Sequence, residues 1–184
     1  MATVLGIATP EGAVLAGDRR ETSGGSVESE AVRRVFDYDF AGAAVVGEVG
    51  GIQEFDRRFE AELRSHRVET DERMTVDRVA RTASDIVEAV GVDALVVARD
   101  SEGEIHLREI GSDGRVLSTD AAALGSGASI AFGRLEGADT DEGLDAVEEL
   151  ARETLRVVAQ RNPDTGTDID AFRLERATDA DAPS

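Results

Sequence analysis

Apolar and polar positions divide this chain into stretches with a period of two and stretches with a period near 3.6. Residues 3–8 alternate loosely and run into Thr9-Pro10-Glu11-Gly12, with Pro and Gly where a tight turn needs them. The apolar pattern resumes over residues 13–16, so the first 18 residues predict a strand–turn–strand hairpin. Ser23-Gly24-Gly25 predicts a further turn. Residues 33–36 and 43–46 predict a second pair of strands, and Ala43-Ala44-Val45-Val46, with no polar position, predicts burial on both faces.

The period changes at Gly50-Gly51. Ile52, Phe55, Phe59 and Leu63 recur at helical spacing as far as about Arg67. Thr75 is the expected N-cap of a second helix carrying Val76, Val79, Ala83, Ile86, Val87 and Val90, with Gly91 as its stop. Strands are predicted over residues 94–99 and 104–110, joined by Asp100-Ser101-Glu102-Gly103, and Ser112-Asp113-Gly114-Arg115 is a strong hairpin signal. A run of small residues, 121–127, leads to a short helix near residues 129–135. A longer helix is predicted from about 141 to 160, with Leu144, Val147, Leu150, Ala151, Leu155 and Val158 on one face. Pro163 and Gly166 end it, and residues 168–175 return as a strand. Runs of strands separated from runs of helices indicate an α+β fold in which helix pairs cover sheet faces. No repeat or linker divides the chain, so residues 2–175 are expected to form a single domain. The polar, Ala- and Asp-rich tail, 176–184, is expected to be disordered.

Composition narrows the function classes. A chain of 184 residues with 41% hydrophobic content can bury a real core. The best apolar runs, 41–46 and 94–98, are strand-sized, too short to span a bilayer. The N-terminus lacks the basic region of a signal peptide. There is no cysteine, which excludes disulfides, thiolate chemistry and zinc–sulfur sites. These features predict a soluble, cytoplasmic protein. Asp and Glu number 39 against 20 basic residues, a net charge of −19, and every basic residue is arginine. At molar ionic strength the Debye length falls to about 3 Å, so a dense carboxylate surface no longer repels itself strongly. The composition therefore predicts adaptation to high salt, a statement about solubility and not about fold. The same charge argues against nucleic-acid partners, whose phosphates it would repel.

Against that background, five motifs occur in register. Gly6-Ile7, then Gly12-Ala13-Val14-Leu15-Ala16-Gly17-Asp18-Arg19-Arg20-Glu21-Thr22, resembles the opening of proteasome β subunits and the bacterial HslV-type peptidase. Arg33-Arg34-Val35-Phe36 resembles the basic pair of that family, and residues 45–53, reading VVGEVGGIQ, resemble its element leading into the first helix. Leu124-Gly125-Ser126-Gly127 resembles the family's serine loop and residues 161–166 its loop after the last long helix. The resemblance implies a four-layer αββα sandwich and N-terminal nucleophile chemistry without a cofactor or metal. There a threonine hydroxyl attacks a peptide carbonyl, its own α-amine accepts the proton, a lysine and an aspartate tune the transfer, and a glycine amide holds the oxyanion.

Carried over residue by residue, the nucleophile position is Ala2, the aspartate Asp18, the lysine Arg34, the oxyanion glycine Gly47 and the loop serine Ser126. The second aspartate falls on Asn162, with Asp164 two residues on, and Thr165 matches the second hydroxyl. Ala2 therefore offers a methyl group where a hydroxyl is expected. Arg34 keeps the charge but is a planar, permanently protonated fork and not a tunable ammonium. Thr3 is the alternative nucleophile, exposed if Met1 and Ala2 were removed, but it lies one residue out of register and on the opposite strand face. Three readings follow: a catalytically silent or strongly impaired subunit that assembles into a ring or mixed ring with related subunits; a working threonine peptidase, through exposed Thr3 or through a start site or processing other than the one this sequence shows; and a module that binds peptide termini in the old cleft. Peptides and an ATPase are the further candidate partners.

Other signals carry less. His106 and Glu109 have ligand spacing, but in a strand positions i and i+3 face opposite sides. Asp164, Asp168 and Asp170 around Gly166 do not fit a calcium loop. Gly125-Ser126-Gly127 fits neither a dinucleotide fingerprint nor a nucleophile elbow.

Overall fold

The computed structural model describes residues 1–177. Two antiparallel sheets lie face to face, each covered on its outer side by a helix pair. One sheet, in the order β10-β1-β2-β11, combines β1 (Thr3–Thr9), β2 (Gly12–Asp18), β10 (Ala121–Gly125) and β11 (Ile169–Glu175). The other runs β5-β6-β7-β8-β9, from β5 (Val35–Asp37), β6 (Ala41–Val46), β7 (Asp93–Arg99), β8 (Ile105–Ile110) and β9 (Val116–Thr119). A small hairpin of β3 (Glu21–Ser23) and β4 (Ser26–Ser29) stands apart.

Three apolar layers hold the four structural layers together. Strand periodicity assigns them: in β1, Val4 packs between the sheets while Leu5 and Ile7 turn to the helices. The middle layer adds Leu15, Val46, Leu95, Val97 and Leu107. On one outer side α3 (Ala128–Leu135) and α4 (Leu144–Arg161) bring Ala131, Val147, Leu155 and Val158 onto the first sheet. On the other, α1 (Val49–Thr70) and α2 (Val76–Val90) bring Ile52, Phe55, Phe59, Val79, Ala83 and Val87 onto the second. The fold is the expected α+β, four-layer αββα sandwich. Among the described residues, no helix is long and apolar enough to cross a membrane.

Most expected elements appear, with local differences that have local causes. Helix α1 runs past Arg67 to Thr70, because Asp71 adopts the left-handed conformation that caps it. Helix α4 starts at Leu144 and not near 141, since Gly143 takes φ 92° just before it. Ser23-Gly24-Gly25 is more than a turn: both glycines have positive φ, 57° and 83°, which suits a tight hairpin between β3 and β4. The small residues 121–125 form strand β10, paired with β1 from Thr3↔Gly125 to Ile7↔Ala121. That strand shows no period because its neighbours, not its own residues, define its faces. Of the expected tail, Arg176 donates its amide to the Glu11 carbonyl at 2.8 Å and Ala177 to that of Gly103 at 3.2 Å, while residues 178–184 lie outside the described range.

Close sheet packing depends on missing side chains, most sharply at Gly42. A Cβ at Gly42 would lie 2.3 Å from Phe172 Cε1, whereas one at Gly133, on the open face of α3, meets nothing within 4 Å. Gly42→Ala is therefore expected to destabilise by about 1–3 kcal/mol. The same change at Gly133 should stabilise by up to ~1 kcal/mol through helix propensity. Urea unfolding of both variants checks the opposite signs.

Candidate active site

The site forms where β1 begins, between β10, the end of β2 and the loop before β11. The pleat decides what each residue there presents. Ala2 has the parity of Val4, so its methyl group faces the space between the sheets, and it is fully buried. Its carbonyl accepts from the Ser126 amide at 3.1 Å, which extends the β1–β10 ladder by one residue. Gly125 makes that approach feasible: it has φ 100°, and a Cβ there would lie 1.9 Å from the Ala2 carbonyl oxygen. Ahead of it, the Ser126 hydroxyl donates to the Met1 carbonyl. The Met1 amine donates to Thr22 Oγ1 at 3.2 Å, and Thr22 in turn donates to Asp164 Oδ1 at 2.7 Å.

Thr3 faces the other way, toward the helices. Its hydroxyl accepts from the Gly127 amide at 3.0 Å and shares a 2.8 Å hydrogen bond with Thr165 Oγ1. Both threonines are fully buried. Its amide donates to Asp18 Oδ1 at 2.7 Å, while Asp18 Oδ2 accepts from Arg20 at 2.9 Å and Gly166 at 2.7 Å. Burial pushes the Asp18 carboxyl above its ordinary value of 3.8, although the amides of Thr3, Gly166 and Arg20 and the Arg34 charge all oppose the rise.

Arg34 enters from the irregular segment that leads into β5. Its side chain is fully enclosed, yet it bonds neither Asp18 nor Ser126. Instead Nη2 donates to Glu21 Oε2 at 2.5 Å and to the Arg20 carbonyl at 2.8 Å. Among the described residues, Arg34 Nε and Nη1 have no partner. A buried guanidinium left partly unsatisfied is costly, and the Glu21 carboxylate offsets its charge. Gly47 lies two residues beyond Val45, whose amide donates to the Arg34 carbonyl at 2.9 Å. It has φ 150°, and a Cβ there would lie 2.8 Å from Val92 Cγ1. Asn162 caps α4, and its Oδ1 accepts from the Asp164 amide at 2.9 Å in a local turn.

Asp18, Ser126 and Thr165 thus gather around the start of β1 with Arg34 close enough for its charge to act on Asp18, while Gly47 packs against Val92, Asn162 serves its own loop and Asp164 reaches Thr22. Sequence reasoning did not single out Glu21 as the partner of Arg34, nor Thr22 and Gly127 as site residues. Glu21 and Thr22 stand inside the Asp18–Thr22 motif, and Gly127 within the Gly-Ser-Gly run, so position marked them though chemistry did not. As built, the site holds a peptide start in place and aligns backbone donors. It presents no free hydroxyl on the buried face at residue 2.

A sequence profile described as "Proteasome subunit" matches residues 2–173. A "Proteasome subunit beta" of Halorhabdus utahensis is 31% identical over 173 residues, covering 91% of this chain and 74% of the relative. "Proteasome subunit beta 1" of Hyperthermus butylicus is 30% identical over 186 residues, covering 97% and 91%. "Proteasome subunit beta 2" of Haloarcula marismortui is 30% identical over 188 residues, covering 92% and 81%.

Asp18→Asn replaces one of two acceptor oxygens with a donor that faces backbone N–H groups. It is expected to destabilise the fold by roughly 1–3 kcal/mol at neutral pH. Because the folded-state pKa is raised, the contribution of the Asp18 proton to stability is full below the ordinary value and is lost as pH rises through the raised one. The deficit of the variant relative to the parent should therefore change across that acidic window. Denaturant titration at stepped pH measures both effects, and a variant as stable as the parent at neutral pH would contradict the assignment.

Proposed function

The chain belongs to the proteasome β-subunit family, and on that premise we propose that it is a proteolysis-related ring component whose own site at residue 2 is silent. One observation carries this reading: the residue at the nucleophile position is a fully buried alanine. A methyl group has neither a lone pair to attack a carbonyl nor a proton to transfer. The remaining support is geometric. The Thr3 hydroxyl lies on the opposite strand face, held by Gly127 and Thr165, and its nitrogen is a peptide amide committed to Asp18. Cleavage after Ala2 would leave that hydroxyl about 3.3 Å along the strand from the family's register. A misplacement of even ~1 Å costs on the order of 10²-fold in rate. Arg34, engaged with Glu21, takes the lysine position with a planar fork in place of a compact ammonium.

With chemistry removed, what remains is a scaffold. Asp18, Gly47 and Ser126 keep the cleft's backbone in shape, and the sandwich presents helix layers through which such subunits pack. Assembly with copies of itself or with related β subunits inside the cell is the role that this preserves. Haloarcula marismortui has relatives named both subunit beta 1 and subunit beta 2, which fits a mixed ring. The net charge of −19 and the haloarchaeal relatives fit work in concentrated salt.

Three measurements test the reading. Incubation with a peptide epoxyketone, followed by intact mass, is expected to show no adduct; an adduct on Thr3 would establish the active alternative. Ala2→Thr combined with Arg34→Lys, with residue 2 exposed, should gain an adduct on residue 2. Light scattering in concentrated KCl is expected to show oligomers, alone or with a co-expressed β subunit. Monomers under both conditions would leave the peptide-binding module as the better reading.

A further inference from the structure

Away from the cleft, the turn between β7 and β8 brings together Asp100, Glu104 and His106, with one ligand atom from each lying within 4.8 Å of the others. We propose that these three side chains form a binding site for a borderline divalent cation of the Zn²⁺ class. The sequence hid this group: His106 has its spacing partner Glu109 on the other strand face, while Asp100 reaches it only because the turn folds back.

The geometry is preset. Asp100 Oδ1 accepts from the amides of Glu102 and Glu104, both at 2.9 Å, which locks the carboxylate. Its second oxygen then faces His106 Nε2 at 2.8 Å. Adjacent ligands on a metal with bonds of roughly 2.0–2.1 Å sit about 3 Å apart, so an ion can enter that edge with little rearrangement. Glu104 lies two residues before His106 on the extended chain, on the same side, and supplies the third oxygen. Two carboxylates and a neutral imidazole offset the charge of a divalent ion. The imidazole favours zinc-like ions over calcium or magnesium, which take oxygen sets. Each of the three is partly or fully exposed, leaving room for water to complete the coordination.

Two contacts compete: the Asp100–His106 hydrogen bond, which the ion would replace, and a neighbouring arginine. Arg176 Nη2 donates to Glu104 Oε1 at 3.4 Å, but both side chains are about half exposed, and such a pair contributes little. Glu104 can exchange it for a metal bond at small cost. The position also gives the ion a structural consequence. The Arg99 guanidinium donates to the Glu175 carbonyl, and the Ala177 amide to that of Gly103, so the end of β11 is fastened to this turn. An ion here would stiffen the junction between the edge of one sheet and a hairpin of the other.

The test is calorimetric titration of Zn²⁺ into the full chain, first stripped with a chelator. A single saturable site is expected. His106→Ala and Asp100→Asn should each weaken it at least about tenfold. His66→Ala, which removes the chain's other histidine, should leave it unchanged. Circular dichroism confirms that each variant is folded, and the Co²⁺ absorption spectrum gives a second readout that His106→Ala should abolish. Failure of the folded parent to bind Zn²⁺, or binding that His106→Ala leaves unchanged, overturns the proposal.

Discussion

The carboxylate of Asp18 is the point through which three distant parts of the chain are joined. Its two oxygens take the amides of Thr3, Arg20 and Gly166, so the start of β1, the exit of β2 and the loop before β11 meet at one buried group. None of these amides has a strand partner that could replace it, and a buried donor without an acceptor costs about 1–3 kcal/mol. The geometry of the cleft is thus built into backbone hydrogen bonding. It does not depend on the identity of residue 2, which explains how an alanine can stand there without disturbing the surroundings.

Arg34 shows how a guanidinium settles in such a setting. A lysine ammonium is a compact point charge, whereas a guanidinium has a directed fork. Here one nitrogen of that fork is committed to Glu21 and the Arg20 carbonyl, which ties the segment leading into β5 to the β3 hairpin. The positive charge stays close enough to act on Asp18, but its hydrogen bonds are spent on structure. In this setting Arg34 acts as a brace between two segments of the chain.

Much of the architecture was legible because local signals agreed. Thr9-Pro10-Glu11-Gly12, the apolar faces of α1, α2 and α4, and the caps at Thr75 and Gly91 each point to the element that forms. The elements that escaped, β3, β4 and β10, are short or made of small residues, and neighbouring strands define their faces. Around the start of β1, motif order singles out Ala2, Asp18 and Ser126, and hydrogen bonds bring these into one neighbourhood. Glu21 was not legible, since nothing in a charged run says which carboxylate will lie against a buried arginine. Asp100 and His106, six residues apart, were likewise separated until the turn closed.

By itself, the sequence determined the α+β class, the helix and strand faces, the acidic surface and the presence of a methyl group at residue 2. These follow from side-chain chemistry and periodicity, which are properties of the chain read in order. Only the tertiary structure decided that the Thr3 hydroxyl turns to the helices between Gly127 and Thr165, that Arg34 pairs with Glu21, and that Asp18 gathers three amides. Those choices depend on which backbone donors are left unpaired once the sheets are stacked, a quantity that no residue carries until its distant neighbours are in place.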